Sequence, residues 1–314
     1  MNKIAFVFPG QGSQTVGMGK ELYENYEIAK DLFEKADKAL GFSIKDMCFN
    51  GPEEELRKTY NTQPAILTMS VICFEVLKSK GLSPDIVAGH SLGEYSALVA
   101  AGAINFEDAV YLVHQRGKFM QEAVPLGEGG MAAILGMDRE KIIEICQRIS
   151  NNGESVQAVN FNCPGQVVIA GTTRGVEEAC NCLKDTGARK TVMLPVSAPF
   201  HSLLMQPAAE KLAIELDKVE IRDAKIPVVA NVNGKVMHDA ATIKNLLVKQ
   251  AASPVKWEDC VAEIVEQGAK TFIEVGPGKV LNGFNKKIDK LIINLNVEDI
   301  TSLEKTLDYF KEVR

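Results

Sequence analysis

Apolar positions along the chain follow two rhythms, and the switches between them mark out the elements. Residues 3–8 are one lysine and an unbroken apolar run, closed by Pro9-Gly10-Gln11-Gly12. That is the pattern of a buried strand breaking sharply into a glycine loop. A polar, helix-forming stretch follows to about Leu40. Residues 64–80 read as a helix closed by Gly81, residues 85–89 as a short buried strand leading into a helix that begins at Ser91, and residues 106–124 as a further helix. Strands alternating with helices predict a parallel sheet.

After the glycine-rich hinge at Gly127, Gly129 and Gly130 the rhythm changes. A strand at 131–135, helix at 139–150, strand at 156–161, turn at Pro164-Gly165, strand at 167–170, helix at 176–186 and strand at 190–195 follow in order. This β-α-β-β-α-β succession is the ferredoxin-like order. Residues 126–197 are therefore expected to form a small ferredoxin-like α+β domain, inserted into a large α/β domain built from residues 1–125 and 198–314. The chain returns to the large domain near His201. There the alternation resumes with a helix to about Lys218, a strand at 228–230, helices at 243–250 and 257–267, and a strand at 271–275. The cleft between the two domains is the natural ligand site.

Composition narrows the class. With 314 residues, 46% of them hydrophobic, and no repeats or low-complexity tracts, the chain reads as a globular α/β enzyme. A net charge of −6 argues against a nucleic-acid partner, because a phosphate-binding surface needs a basic excess. The group Lys286, Lys287 and Lys290 reads as a solvated helix face or as a surface for an acidic partner. Seven cysteines, an odd number without paired metal-ligand spacing, predict reduced thiols, no metal and a cytoplasmic setting. The apolar run at the N-terminus is far too short for a signal peptide, and no apolar stretch approaches the ~20 residues of a membrane span.

Gly89-His90-Ser91-Leu92-Gly93 is a G-x-S-x-G pattern between a predicted strand and a predicted helix, the setting this motif requires. Small glycines permit a tight turn that projects a serine hydroxyl from the sheet edge toward helix-terminal N–H groups. A glycine turn with a capping serine is the plainer reading. As a nucleophile Ser91 would draw one oxyanion donor from the Leu92 N–H, and Gln11 in the first glycine loop is the choice for the second. Four histidines are available as base: His90, His114, His201 and His238. His90 should point away from its neighbour Ser91, His114 lies in a periodic helix and His238 in a polar loop. His201, which follows Pro195-Val196-Ser197-Ala198-Pro199-Phe200 where the inserted segment rejoins the large domain, is the candidate base, although a lone histidine is more often structural. Arg116 sits mid-helix, either as a surface residue or as a deep cationic fork for a substrate carboxylate, with Gly117 letting that substrate approach.

Taken together, Phe8-Pro9-Gly10-Gln11-Gly12-Ser13-Gln14, Asn61-Thr62-Gln63-Pro64-Ala65, Gly89-His90-Ser91-Leu92-Gly93-Glu94-Tyr95-Ser96-Ala97, Arg116-Gly117, Asn160-Phe161-Asn162, Pro164-Gly165-Gln166 and Glu274-Val275-Gly276-Pro277-Gly278 resemble the malonyl-CoA:acyl carrier protein transacylase family over nearly the whole chain. The resemblance implies an α/β-hydrolase-like large domain, Ser91 as nucleophile, His201 as base, Gln11 and Leu92 as oxyanion donors, and Arg116 as clamp on the malonyl carboxylate. It further implies Gln250 as the residue that helps orient the histidine and Asn160 as a polar residue lining the acyl site. The implied reaction takes malonyl-CoA and acyl carrier protein as partners, proceeds by a ping-pong mechanism through a malonyl-serine ester, and needs no cofactor. It would supply fatty-acid synthesis, with polyketide synthesis as the alternative.

Phe200, directly before His201, resembles malonyl-selective members and should disfavour an α-methyl group by the ~1–3 kcal/mol that one methyl is worth. Lys286, Lys287, Arg189 and Lys190 are candidates for meeting an acidic carrier protein. Two rivals remain. A serine thioesterase or hydrolase would use the same elbow, but places its acid and histidine late in the chain without an insertion before the base. A non-catalytic docking protein would not keep both Ser91 and His201.

Overall fold

The computed structural model describes residues 3–196 and 198–312. Ser197, the expected last residue of the inserted segment, lies outside the described residues, as do the outermost residues of the large domain (1–2 and 313–314). The strands are β1 (Lys3–Phe8), β2 (Ile86–Gly89), β3 (Gly129–Leu135), β4 (Val156–Cys163), β5 (Gln166–Thr172), β6 (Lys190–Met193), β7 (Val228–Val229), β8 (Val236–Met237), β9 (Ala269–Val275) and β10 (Ile293–Val297).

Six of them form a sheet in the order β10-β9-β1-β2-β7-β8. Pairing is parallel from β10 through β7, and only β8 runs antiparallel to its neighbour. Because side chains alternate across a strand, Phe6 and Phe8 join one apolar layer with the helix Thr59–Ser79. Ala5 and Val7 join another with Trp257, Val261 and Ile264 of the helix Trp257–Glu266. Both faces are thus covered, as continuous apolar runs predict.

A second sheet has the order β4-β5-β3-β6, antiparallel throughout. One face packs on the helices Arg139–Asn151 and Thr173–Asp185 through Ile134, Ile169, Ile142 and Leu183. Its other face carries Met131, Val159 and Val168, packed with Leu194, Val196 and Phe200. Backbone ties β4 to the segment that leads into the helix Trp257–Glu266: Val255 N–H donates to Val159 O at 2.8 Å, and Phe161 N–H donates to Val255 O at 2.9 Å.

Three expectations are corrected. The helix expected to start at Pro64 begins at Thr59, with Pro64 inside it. Proline removes the donor owed to the carbonyl four residues back. His114 fills that gap, its Nδ1 lying 2.7 Å from the Tyr60 carbonyl. Gly117 does not face a substrate. A Cβ there would lie 2.6 Å from Tyr60 Cα and 2.9 Å from Thr59 O, so this glycine lets the helix Phe106–Glu122 press against Thr59–Ser79. The helix expected to begin at Ser91 begins at Gly93. In addition β8, β10 and the helix Ile300–Glu312 arise without a sequence expectation, while the helix face expected at Lys286 and Lys287 falls on the helix Val280–Ile288.

Candidate active site

The site lies beyond the carboxyl ends of neighbouring parallel strands, where α/β sheets hold their ligands. Gly10 and Gln11 follow β1, His90 and Ser91 follow β2, and Ala230 and Asn231 follow β7. The two glycines of the elbow are there for space. A Cβ on Gly89 would sit 1.9 Å from Gly93 O, and one on Gly93 would sit 2.1 Å from Phe8 O.

Between them Ser91 is held at φ 52°, a left-handed backbone that costs a non-glycine residue roughly 1–2 kcal/mol. Both of its peptide groups are anchored. Its N–H donates to Asn231 Oδ1 at 2.7 Å, and its carbonyl accepts from Gln250 Nε2 at 2.9 Å and from the Glu94 N–H at 3.1 Å.

The tertiary structure places His201 beside this turn, with Nε2 2.7 Å from Ser91 Oγ. His201 is buried and also has positive φ, 65°. Its Nδ1 lies 2.9 Å from the Gln250 carbonyl oxygen. A carbonyl only accepts, so Nδ1 carries the proton and Nε2 turns its lone pair to the serine. Burial first, and the Arg116 guanidinium second, hold the imidazole down to about 3 from an ordinary 6.5. A neutral imidazole accepting from a serine hydroxyl is the arrangement that general-base chemistry requires. It is the main chain of Gln250, not its side chain, that orients the histidine.

Arg116 is 1% exposed. Its Nη2 donates to Ser91 Oγ at 3.1 Å and to Gln250 Oε1 at 3.0 Å, and its Nη1 donates to Gln63 Oε1 at 2.9 Å. The Tyr95 ring lies beneath the guanidinium at 5.7 Å. All these partners are neutral. The nearest anion along the network is Glu94, one Gln250 amide away: Gln250 Nε2 donates to Glu94 Oε2 at 3.0 Å. Burial pushes that carboxyl up to about 7. An arginine fork buried beside a serine hydroxyl, and not occupied by a carboxylate among the described residues, can receive one from a ligand.

Ser91, His201 and Arg116 open into a cleft lined also by Gln11, Leu92, Met120, Met131, Asn160 and Phe200. All eight residues singled out in the sequence thus come together here, seven of them on the cleft wall and Gln250 behind it. The backbone N–H groups of Gln11 and Leu92 take part in none of the turn and loop bonds that tie this region together among the described residues. The Asn160 side-chain oxygen is sealed from solvent without a partner among the described residues.

A second arm of the cleft runs between the sheets past Asn162 and Gln166 to Val280, Leu281 and Phe284. Those last three belong to the helix Val280–Ile288, which ends in Lys286 and Lys287. Its first turn is capped by Glu274, whose two oxygens accept from the Leu281 N–H at 3.0 Å and the Asn282 N–H at 2.8 Å.

Sequence reasoning missed Gln63, Glu94, Asn231 and the contact of His90 with Asn162, whose Nε2 and Oδ1 lie 2.9 Å apart. For Asn231 a signal existed: a polar residue just past the end of an apolar strand. Glu94 and Gln63 stood within quoted motifs, but nothing local says what a buried acid or amide will meet.

The acyl transferase domain family model matches residues 5–302. Malonyl CoA-acyl carrier protein transacylase of Bacillus subtilis is 52% identical over 312 residues, covering 99% of this chain and 98% of that one. The crystal structure of malonyl CoA-acyl carrier protein transacylase from Clostridium perfringens superposes with a TM-score of 0.96 at 48% identity, over 99% of this chain and 98% of that one. A malonyl transacylase solved in complex with its type II polyketide acyl carrier protein superposes with a TM-score of 0.95 at 45% identity, over 98% and 99%.

Proposed function

The chain belongs to the acyl transferase domain family, and from that premise we propose the reaction course: a malonyl group passes from malonyl-CoA to Ser91 and then to the phosphopantetheine thiol of acyl carrier protein. It is an acyltransferase, and malonyl-CoA and acyl carrier protein are its partners. One observation carries the assignment of roles. A single serine oxygen lies 2.7 Å from a neutral imidazole nitrogen and 3.1 Å from a buried guanidinium.

The course follows from those contacts. The malonyl carboxylate takes hydrogen bonds from the two Nη groups of Arg116, displacing the Nη2 bond to Ser91 Oγ, which selects a free carboxylate and aims the thioester at Ser91. His201 Nε2 accepts the Oγ proton as Oγ bonds to the thioester carbon. The charge that develops on the carbonyl oxygen is met by the N–H groups of Gln11 and Leu92. The C–S bond then breaks, and the coenzyme A thiol leaves with the proton held by His201. In the second half His201 deprotonates the carrier thiol, sulfur attacks the ester carbon, and Ser91 leaves with its proton restored. Atoms and charge balance without a cofactor in the scheme.

The pantetheine arm is assigned to the second arm of the cleft, from Asn162 to Phe284. Lys286, Lys287, Arg189 and Lys190 are assigned to meet the acidic carrier protein. The four-stranded order β4-β5-β3-β6 with its two helices supports a ferredoxin-like small domain over residues 126–197, and the parallel sheet with its serine elbow supports a hydrolase-like large domain. Fatty-acid synthesis is the pathway this activity feeds. The polyketide reading keeps a place because one structural relative is a malonyl transacylase bound to a polyketide carrier protein. Seven free cysteines suit a reducing cytoplasm.

The experiment is an intact-mass spectrum after mixing the protein with malonyl-CoA and no acceptor, beside Ser91→Ala. A malonyl adduct on the wild type alone, discharged by holo acyl carrier protein, is expected. Release of free malonate without an adduct would make the protein a hydrolase instead.

A further inference from the structure

Glu94 is fully buried at the start of the helix Gly93–Ala100, and the scheme above gives it no chemical step. Its Oε2 accepts two hydrogen bonds, from the Asn231 backbone N–H at 2.9 Å and from Gln250 Nε2 at 3.0 Å. Its Oε1 has no hydrogen-bond partner among the described residues. The two groups it gathers are the ones that hold the strained serine. Asn231 Oδ1 accepts the Ser91 N–H at 2.7 Å, while Asn231 Nδ2 donates to the Gly89 carbonyl at 2.7 Å. Gln250 Nε2 donates to the Ser91 carbonyl at 2.9 Å, and its Oε1 takes the Arg116 bond at 3.0 Å.

A primary amide can present its oxygen and nitrogen in either sense. Here an acceptor at Glu94 Oε2 fixes the Gln250 NH₂ toward the serine, which turns Oε1 toward Arg116. The same acceptor fixes the backbone from which the Asn231 side chain springs.

We infer that Glu94 is a positioning residue for the nucleophile, acting through Asn231 and Gln250 to hold Ser91 at its left-handed φ with Oγ in line between His201 and Arg116. What matters is an acceptor at the Oε2 position. Protonation at the unpartnered Oε1 would leave both bonds in place, which fits a carboxyl whose burial lifts it toward neutrality. The inference rests on Ser91 being the acylated residue.

Its test is the rate and stoichiometry of malonyl-serine formation in Glu94→Leu and Glu94→Gln, followed by quenched-flow intact mass with malonyl-CoA alone. Leucine fills the space and accepts nothing. The loading rate is expected to fall about 100-fold, the scale of a misplaced reacting group. KM for malonyl-CoA should stay within about threefold of wild type, since Gln63 still holds Arg116, and the final adduct should still reach one per chain. Glutamine offers an oxygen at Oε2 and should restore the rate to within about fivefold.

A purely structural role would instead lower the fraction of chains that load, at an unchanged rate per active chain, and would overturn the inference. So would Glu94→Gln loading as slowly as Glu94→Leu when both are folded. If thermal melts show Glu94→Leu unfolded, Asn231→Ala removes the partner of the Ser91 N–H by another route. It must show the same fall in rate at constant KM, and a wild-type rate there would sink the idea. A wild type that forms no adduct refutes the reading of Ser91 itself, a different outcome from any of these.

Discussion

Lowering the pH of the loading half-reaction from about 7.5 to about 5.5 tests the state of His201 directly. At its ordinary value of 6.5, an imidazole is about nine-tenths neutral at the higher pH and about one-tenth neutral at the lower. A base of that kind would lose roughly ninefold in rate. His201 is 3% exposed, and that burial first, with the Arg116 guanidinium second, holds it down to about 3, so it should remain essentially all neutral at both values. The loading rate, read as malonyl-serine formed per second by quenched intact mass, is then expected to change by less than about twofold. A fall of roughly ninefold with a midpoint near 6.5 would refute the reasoning, and with it the claim that burial sets the base.

Stability gives an independent readout of the same shift. Moving from 6.5 to about 3 corresponds to roughly 5 kcal/mol between protonation states. Because the folded value is depressed, the native chain binds fewer protons in this window. The contribution is whole above 6.5 and is lost as pH falls toward 3. Glu94, raised from 4.5 to about 7, works the other way: its contribution is whole below 4.5 and is lost as pH rises through 7. Replacing His201 by Asn removes only the first, so the Tm of His201→Asn relative to wild type should rise as the buffer is moved from about pH 7.5 to about pH 5.

Truncating Arg116 to Ala removes the fork and strands Gln63 Oε1 and Gln250 Oε1. The preference for malonyl-CoA over acetyl-CoA in kcat/KM should shrink by about 30–100-fold, from the ~2–3 kcal/mol of charged hydrogen bonding lost. Gly117→Ala drives a methyl to 2.6 Å from Tyr60 Cα. It should cost about 1–3 kcal/mol in urea unfolding at unchanged slope, and equal stability would refute the close-packing reading. Phe200→Ser should raise methylmalonyl-CoA relative to malonyl-CoA in kcat/KM by about tenfold, and an unchanged ratio would remove Phe200 from substrate selection. Charge reversal at Lys286 and Lys287 should raise KM for acyl carrier protein and leave loading from malonyl-CoA untouched; kinetics unchanged with both would remove this helix end from the docking surface.

How much of this was legible in the sequence depends on the range of the forces involved. Continuous apolar runs announced β1 and β2, and the serine elbow between two glycines announced itself through spacing, because the demand of Gly89 against Gly93 is local; that Gly93 must also clear Phe8 of β1 is visible only in the fold. Pro64 misled, since its effect on a helix depends on whether some distant donor reaches the orphaned carbonyl, and His114 does. β10 was missed although Ile293-Asn294-Leu295-Asn296-Val297 alternates apolar and polar as a half-buried strand does; what no local pattern carries is its pairing in register with β9.

The amino-acid order by itself determined the α/β alternation, the candidate nucleophile and the list of residues able to serve it. Tertiary structure alone decided which nitrogen of His201 faces Ser91, that the Gln250 main chain orients it, and that Glu94 and Asn231 brace the turn. Those choices join positions as far apart in the chain as Ser91 and Gln250, and hydrogen-bond direction and desolvation are properties of an assembled interior that no stretch of sequence carries.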